Sequence, residues 1–271
     1  MIQSPGVPFH ARAARLLALI LAALALAACV KQPLPEPPDD SAEQRVWHAF
    51  RANGGQELPP AFNLKAALNY SGPKDKHRIV IRFWGSPDLP LRMDLQAGIG
   101  ATFAYWLEDE NGFTALVPDD NAAYLHTDSR LGMAAFGFSF PYSMRELALL
   151  LNGQVRDLIP ETYDSVRFVE GKGYEYAISR DDGQYLLTLD MEGRPVEILT
   201  PGEQPWLLEI RGYLEDQGFP RVPERIRMTH PPSEKAILYV KDIEHRDTPY
   251  PRESMSLEIP PGIELRRLTN E

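Results

Sequence analysis

Apolar and polar residues follow three rhythms along the 271 residues of the chain. The first is an unbroken apolar run, Leu16 to Ala28, preceded by Arg12 and Arg15 and free of acidic residues. The second is helical. Behind Ser41, a natural N-cap, Ala42 to Ala52 places Val46, Trp47 and Phe50 on one stripe, and Asn53-Gly54-Gly55 ends the pattern. The third has a period of two. Phe62, Leu64, Ala66, Leu68 and Tyr70 alternate with Asn63, Lys65, Ala67 and Asn69, which predicts a strand with one dry face. The alternation returns in Ile79, Ile81 and Phe83, in Leu91, Met93 and Leu95, in Phe103, Tyr105 and Leu107, and in Phe113, Ala115 and Val117. A short segment around Ala123 to Leu125 follows. Turns such as Gly85-Ser86-Pro87-Asp88 and Asn111-Gly112 separate these runs, so the pattern predicts an antiparallel meander.

The meander is interrupted once. Asp128 can cap a short helix through Phe136, and Ser143-Met144-Arg145-Glu146 is a capping box opening a second helix. Its stripe is Met144, Leu147, Ala148 and Leu151, and Gly153 closes it. Strands then resume near Ser165 to Glu170, Gly173 to Ser179, Tyr185 to Asp190, Val196 to Thr200, Pro205 to Tyr213, Pro223 to Met228 and Ala236 to Ile243, with a last one near Ile263 to Leu268. Strands apolar on one face need that face covered, and the interruption supplies only a few amphipathic turns to cover it. The expected fold is mainly β (α+β), a curled antiparallel half-open β-barrel with helices plugging the concave face. A single layer of helices over so wide a sheet leaves an apolar hollow. Its expected lining is Leu64, Leu68, Ile81, Phe83, Leu95, Phe103 and Tyr105 from the strands, with Leu147 and Leu151 from the plug.

The apolar run at the start ends in Leu26-Ala27-Ala28-Cys29, a lipobox. A positive n-region, a short apolar core and small residues before the cut describe a bacterial secretory signal, residues 1 to 28. The cysteine after the cut is where diacylglycerol is attached. Cys29 is the only cysteine in the chain, so with its sulfur lipidated no thiol is left for disulfides, metal sites or a nucleophile. Residues 29 to 40 then read as the lipidated Cys and a tether holding four prolines, about 3.1 Å per residue and roughly 30 Å long. Residues 41 to 271 form a single expected domain. The chain would be held on a bacterial membrane through covalent lipid. Val30 after the cysteine, where inner-membrane lipoproteins often carry Asp, favours the periplasm-facing side of the outer membrane. Formal net charge moves from −10 to −12 when Arg12 and Arg15 leave with the signal, which argues against nucleic acid or anionic lipid as an electrostatically held partner.

From Phe62 to Ile243 the order of features resembles the LolB family of outer-membrane lipoprotein receptors and, more broadly, the LolA-LolB lipoprotein-carrier superfamily. The residues that carry the resemblance are Arg82-Phe83-Trp84, Leu91-Arg92-Met93-Asp94-Leu95, Gly98-Ile99-Gly100, and Phe140-Pro141-Tyr142-Ser143 leading into Leu147 to Gly153. Pro223-Glu224-Arg225-Ile226 before a strand ending Lys241-Asp242-Ile243 completes them. The resemblance implies that Ile99, on the loop after the third strand, is exposed and inserts toward membrane lipid, with Gly98 and Gly100 letting the loop turn tightly. The alternative is an ordinary half-buried hairpin residue. The family pattern carries Pro where Gly98 stands. After Ile243 the chain continues into a tail, through His245 to Ile263, that resembles other lipoprotein-carrier-like lipoproteins.

Other chemistry leaves little trace. The six histidines include no pair at helical metal-ligand spacing, and there is no His-Glu-x-x-His, Gly-x-Ser-x-Gly or Walker loop, so no metal, cofactor or catalytic residue is expected. Asp119-Asp120 and Asp181-Asp182 sit where hairpin turns are expected. Trp84, Trp106 and Trp206 read as packing residues before ligand-stacking ones. The leading expectation is a non-enzymatic module that takes an acylated lipoprotein or other lipid ligand from a periplasmic LolA-like carrier and releases it to the outer membrane. The alternative is an envelope-assembly lipoprotein of the same fold whose concave face packs a protein partner. A filled hollow would favour the second, and a continuous void the first.

Overall fold

The computed structural model describes residues 41–52, 59–72, 76–98, 100–138, 140–214, 222–232 and 234–269. The expected signal segment, Cys29, the tether, the Asn53-Gly54-Gly55 stop and Ile99 lie outside the described residues. The unit Ala42–Glu271 contains the whole described sheet and its hydrophobic core, so it can be taken as a folding unit by itself.

Period-two alternation becomes strand wherever it was read. The first meander runs β1 (Ala61–Ser71), β2 (Lys76–Gly85), β3 (Leu91–Ala97), β4 (Thr102–Asp109), β5 (Gly112–Val117) and β6 (Ala122–His126). The second runs β7 (Ser165–Val169), β8 (Gly173–Arg180), β9 (Gly183–Leu189), β10 (Pro195–Leu199), β11 (Leu207–Ile210), β12 (Arg225–His230) and β13 (Glu234–Arg246), and β14 (Glu264–Arg267) comes last. All fourteen join one sheet in the order β14-β6-β5-β4-β3-β2-β1-β13-β12-β11-β10-β9-β8-β7. Two meanders are thus stitched together by β1 and β13, which pair from Ala61↔Arg246 to Ser71↔Lys235 around a bulge at Lys65/Ala66. Pairing is antiparallel throughout except that β14 lies parallel to β6. The outermost strands, β7 and β14, do not pair with each other, so the curled sheet stays unclosed. Strand twist together with a single apolar face drives the curl, because only a sheet that wraps around its covering elements buries that face.

The chain crosses between the two edges through helices α2 (Ser129–Ala134) and α3 (Met144–Leu151); α1 (Ala42–Ala52) precedes the sheet and α4 (Arg252–Met255) follows it. Asp128 caps α2 by accepting from the Leu131 amide at 3.2 Å. The capping box of α3 forms on both sides: the Glu146 amide donates to the Ser143 hydroxyl at 3.1 Å, and the Ser143 amide donates to the Glu146 carboxylate at 2.9 Å. Met144, Leu150 and Leu151 of α3 are then fully buried in the main core. On α1, Trp47 packs on Tyr163 and Tyr176 with ring centroids 5.0 and 4.9 Å away, and the Tyr176 hydroxyl donates to the Glu43 carbonyl at 2.6 Å. The turn after β9 passes so close beneath α1 that a Cβ on Gly193 would lie 2.6 Å from the Phe50 nitrogen.

The tail lies on the other side of the sheet. Met255 of α4 is 2 % exposed yet outside the main core, packed where Gly85 leaves room. The buried Arg92 of β3 donates to the Ser256 carbonyl at 2.6 Å, stands over the Trp84 ring at 5.4 Å and lies 3.7 Å from Asp94. Burial under this strap pushes the Arg92 guanidinium down and the Asp94 carboxyl up from their ordinary values, and their mutual attraction opposes both shifts.

Candidate functional site

The inward side chains of the sheet do not fill the space they enclose. A cavity of about 680 Å³ remains where β1 ends and β2 begins, β3 ends and β4 begins, and β12 ends and β13 begins. Sites that enclose small ligands span ~300–1,000 Å³. Its walls are Leu68 and Tyr70 of β1, Ile79 and Ile81 of β2, Met93 of β3, Phe103 and Trp106 of β4, and Met228, Ala236 and Leu238 of β12 and β13. Lys76, His77, Arg78 and Glu234 bring charge and polarity to its edge.

Its roof is an aromatic run on the crossing between α2 and α3. Phe136, Phe138 and Phe140 recur at every second position along it, joined by Met133 and by Leu147 of α3. Tight turns fix the run: the Phe136 and Phe138 amides both donate to the Met133 carbonyl, at 3.0 and 3.1 Å, and the Phe140 amide donates to the Phe138 carbonyl at 2.7 Å. Gly137, with φ 82, allows the turn between them. Trp106 lies 5.5 Å from Phe113 and 4.9 Å from Phe138 between ring centroids. From the second meander Trp206 stacks on His230 at 4.7 Å and meets Phe140 edge-on at 6.1 Å. Reciprocal bonds of 3.0 Å hold Trp206, its amide donating to the Thr200 hydroxyl and its carbonyl accepting from the Thr200 amide. The buried Trp106 Nε1 donates to no acceptor among the described residues, a cost of about 1–3 kcal/mol that fits a dry chamber. Tyr142, buried beside Phe140, has its phenol pushed up by burial and stays neutral.

Of the residues expected to line the hollow, Leu68, Ile81, Phe103 and Leu147 do so. Leu64, Phe83, Leu95 and Leu151 are 0–1 % exposed and form the packed floor beside it. Tyr105 falls on the outer face, paired with Asp94, because the register between β3 and β4 slips at Phe103. The inserted residue reverses the alternation: Ala104 and Trp106 point inward where Tyr105 and Leu107 were expected, and Phe103 stays at the cavity. Gly98 and Gly100, flanking Ile99, are exposed, with Gly100 at φ 115. Their loop leaves β3 at the cavity, where Ala97 lines the edge and the Gly98 amide donates to the Arg78 carbonyl at 3.3 Å. Sequence reasoning missed Phe136 and Phe138, and it put packing before ligand contact for Trp106 and Trp206, both of which line the void. The Phe-x-Phe-x-Phe alternation was the available signal.

A second, polar crevice gathers Glu108, Asp128, Glu146 and Asp182 beside Arg180, which lies 3.6 Å from Glu146 and 3.4 Å from Asp182. Burial pushes the Glu108 carboxyl up. No histidine is among its lining residues. Among the described residues no three His, Cys, Asp or Glu side chains converge where they could hold a metal ion.

No family model and no curated protein matches the chain by sequence. Solved structures do match it in shape. A LolA superfamily protein from Nitrosomonas europaea is similar with a TM-score of 0.53 at 12% identity, covering 80% of this chain and 99% of that one. A proposed outer-membrane lipoprotein-sorting protein domain from Vibrio parahaemolyticus gives 0.52 at 10% identity, covering 79% and 97%. A DUF1329 family protein from Desulfovibrio piger gives 0.53 at 7% identity, covering 80% and 100%. At these identities the likeness is one of fold: the chain is a LolA-like curled sheet.

Proposed function

We propose that the protein is a lipid-anchored receptor that takes the acyl chains of a lipoprotein, or of another lipid ligand, into the cavity beneath the Phe136–Phe140 roof and releases them to the outer membrane. The observation that carries this reading is the void itself. A face that packed a protein partner against a filled hollow would leave no such space, whereas about 680 Å³ remains among apolar and aromatic side chains. Acyl chains cannot cross water unaided, since each exposed methylene costs about 0.8 kcal/mol. Met93, Met133 and Met228 suit a chain of no fixed shape, because unbranched thioethers re-pack easily. Release requires that the chamber be no better a solvent than the bilayer, and the unpartnered Trp106 indole and the polar edge at His77 and Glu234 keep it from being so.

The anchor in this reading is Cys29, which would place the domain on the periplasmic side of the outer membrane. Ile99 would be the side chain offered to lipid at delivery. The neighbour from Vibrio parahaemolyticus, described for outer-membrane lipoprotein sorting, supports the same direction through its fold. The test is transfer of a purified acylated lipoprotein from a loaded periplasmic carrier to the domain from Ser41 to Glu271, and from there to vesicles. The wild type is expected to accept and deliver, and Ile99→Glu to accept without delivering. Absence of both transfer and acyl binding by correctly folded protein would overturn the proposal and leave an assembly module.

A further inference from the structure

Net charge conceals where the charges stand. Strand register resolves the outer face of β12, β13, β1 and β2 into four rows. In the first, Lys76 and Lys235 flank Ser71. In the second, Arg78 and Arg227 stand on either side of Asn69 and Ile237. In the third, Arg225 lies opposite Tyr239, beside Ala67 and Val80. In the fourth, Arg82 lies directly opposite Lys65, and the bulge of β13 adds Lys241. All eight cations are exposed. Lys65 is answered by Asp242 at 3.2 Å and Arg227 by Glu209 at 3.5 Å. Arg82 faces the Asp94 carboxylate of β3 in register, while Lys76, Arg78, Arg225, Lys235 and Lys241 make no ion pair among the described residues, in a protein whose formal charge is −10.

Stability does not account for this face, because its first three rows set five cations on β12, β13, β1 and β2 with no carboxylate opposite them on those strands. We propose that it is a docking surface for an anionic phospholipid bilayer. The cations are spread over four strands roughly 4.8 Å apart, with row spacing of roughly 7 Å, which suits a plane of phosphates. Half-buried Val80, Ile237 and Tyr239 lie between them as an amphipathic centre. The surface also runs into the cavity edge, since Lys76 and Arg78 belong to both and the Gly98 amide bonds the Arg78 carbonyl. A domain seated this way would hold its cavity edge and the Gly98-Gly100 loop close to the headgroups. The proposal reverses, for this one face, the expectation from net charge; it stands on register and exposure and does not require that the cavity bind acyl chains.

The test is co-sedimentation of the unlipidated Ala42–Glu271 unit with phosphatidylcholine vesicles and with vesicles enriched in phosphatidylglycerol. Binding is expected to the anionic vesicles only, and to fall with salt. Each basic residue near an anionic surface raises partitioning roughly fivefold, so the variant Arg225→Glu/Lys235→Glu/Lys241→Glu is expected to bind on the order of a hundredfold more weakly. None of these three residues lines the cavity, so uptake of a fluorescent fatty acid in vesicle-free solution is expected to be unchanged, which separates this proposal from the cavity reading. A control with the same charge change at Arg130, Arg167 and Arg252 is expected to lose far less vesicle binding. Wild-type protein with no preference for anionic vesicles, pointing to an acidic protein as occupant, would overturn the proposal. Equal loss in the control would overturn it as well, since overall charge would then be the cause.

Discussion

The two ends of the β1–β2 hairpin carry the same alternation and end up as different materials. At one end Phe62 and Phe83 meet edge to face at 5.2 Å, with Leu64 directly opposite Phe83, and all three are 0–1 % exposed. At the other, Leu68, Ile79 and Ile81 face a void. What differs is the cover. The last residues of α3 reach the packed end, where Asn152 bonds His245 of β13, the partner of Phe62 in register, at 2.9 Å. The open end is roofed by an aromatic run of tight turns that spans the gap without filling it. A binary pattern specifies which face is dry, and the covering element decides whether that face becomes core or chamber.

The comparison breaks first at Phe83. Phe83→Ala is expected to cost about 3–5 kcal/mol in urea denaturation, against about 2 kcal/mol for Ile81→Ala, whose surroundings are already incompletely packed. Equal losses would mean that both ends are packed alike. Filling the chamber sharpens the contrast from the other side. Ala236→Trp, at the cavity wall, is expected to reduce uptake of a fluorescent fatty acid at least about tenfold while leaving urea stability within about 1 kcal/mol of wild type. Undiminished uptake would place the acyl chain elsewhere.

How far the sequence reaches follows from the same contrast. Period-two runs located the strands, and Ser143-x-x-Glu146 located α3, because alternation and capping are local signals. Tyr105 ended on the outer face because one inserted residue at Phe103 reverses parity, and nothing in the β4 sequence marks a bulge. Leu64, Phe83 and Leu95 could not be told from Leu68 and Ile81, since lining and floor share one face and differ only in what lies above them. The tail was legible as an extension, while its role in covering Arg92 and receiving Met255 depends on long-range placement.

Smaller effects probe the cover itself. Ser143→Ala removes one half of the capping box and is expected to cost about 1 kcal/mol in thermal or urea unfolding, without altering fatty-acid uptake by the folded protein. A loss of uptake would show that α3 gates the chamber rather than merely packing beside it. The least change is expected at His245, whose burial lowers its pKa below the ordinary 6.5. The unfolded chain then binds a proton that the folded state resists, so stability should decline as pH falls through about 6.5 toward the lowered value, and His245→Gln should flatten that decline. Urea midpoints measured between neutral and mildly acidic pH decide it; a midpoint that rises on acidification would contradict the sign.

The most direct test of the chamber uses its own indoles. Of the four tryptophans, Trp106 and Trp206 line the void, while Trp47 packs on Tyr163 and Tyr176, and Trp84 lies beneath Arg92. Titration with a fatty acid brominated along its chain, followed by tryptophan fluorescence, should give saturable quenching that disappears in Trp106→Phe/Trp206→Phe, although that variant keeps its fold and still emits from Trp47 and Trp84. Quenching that persists undiminished in the double variant, or no quenching of the folded wild type, would contradict an acyl chain in this cavity.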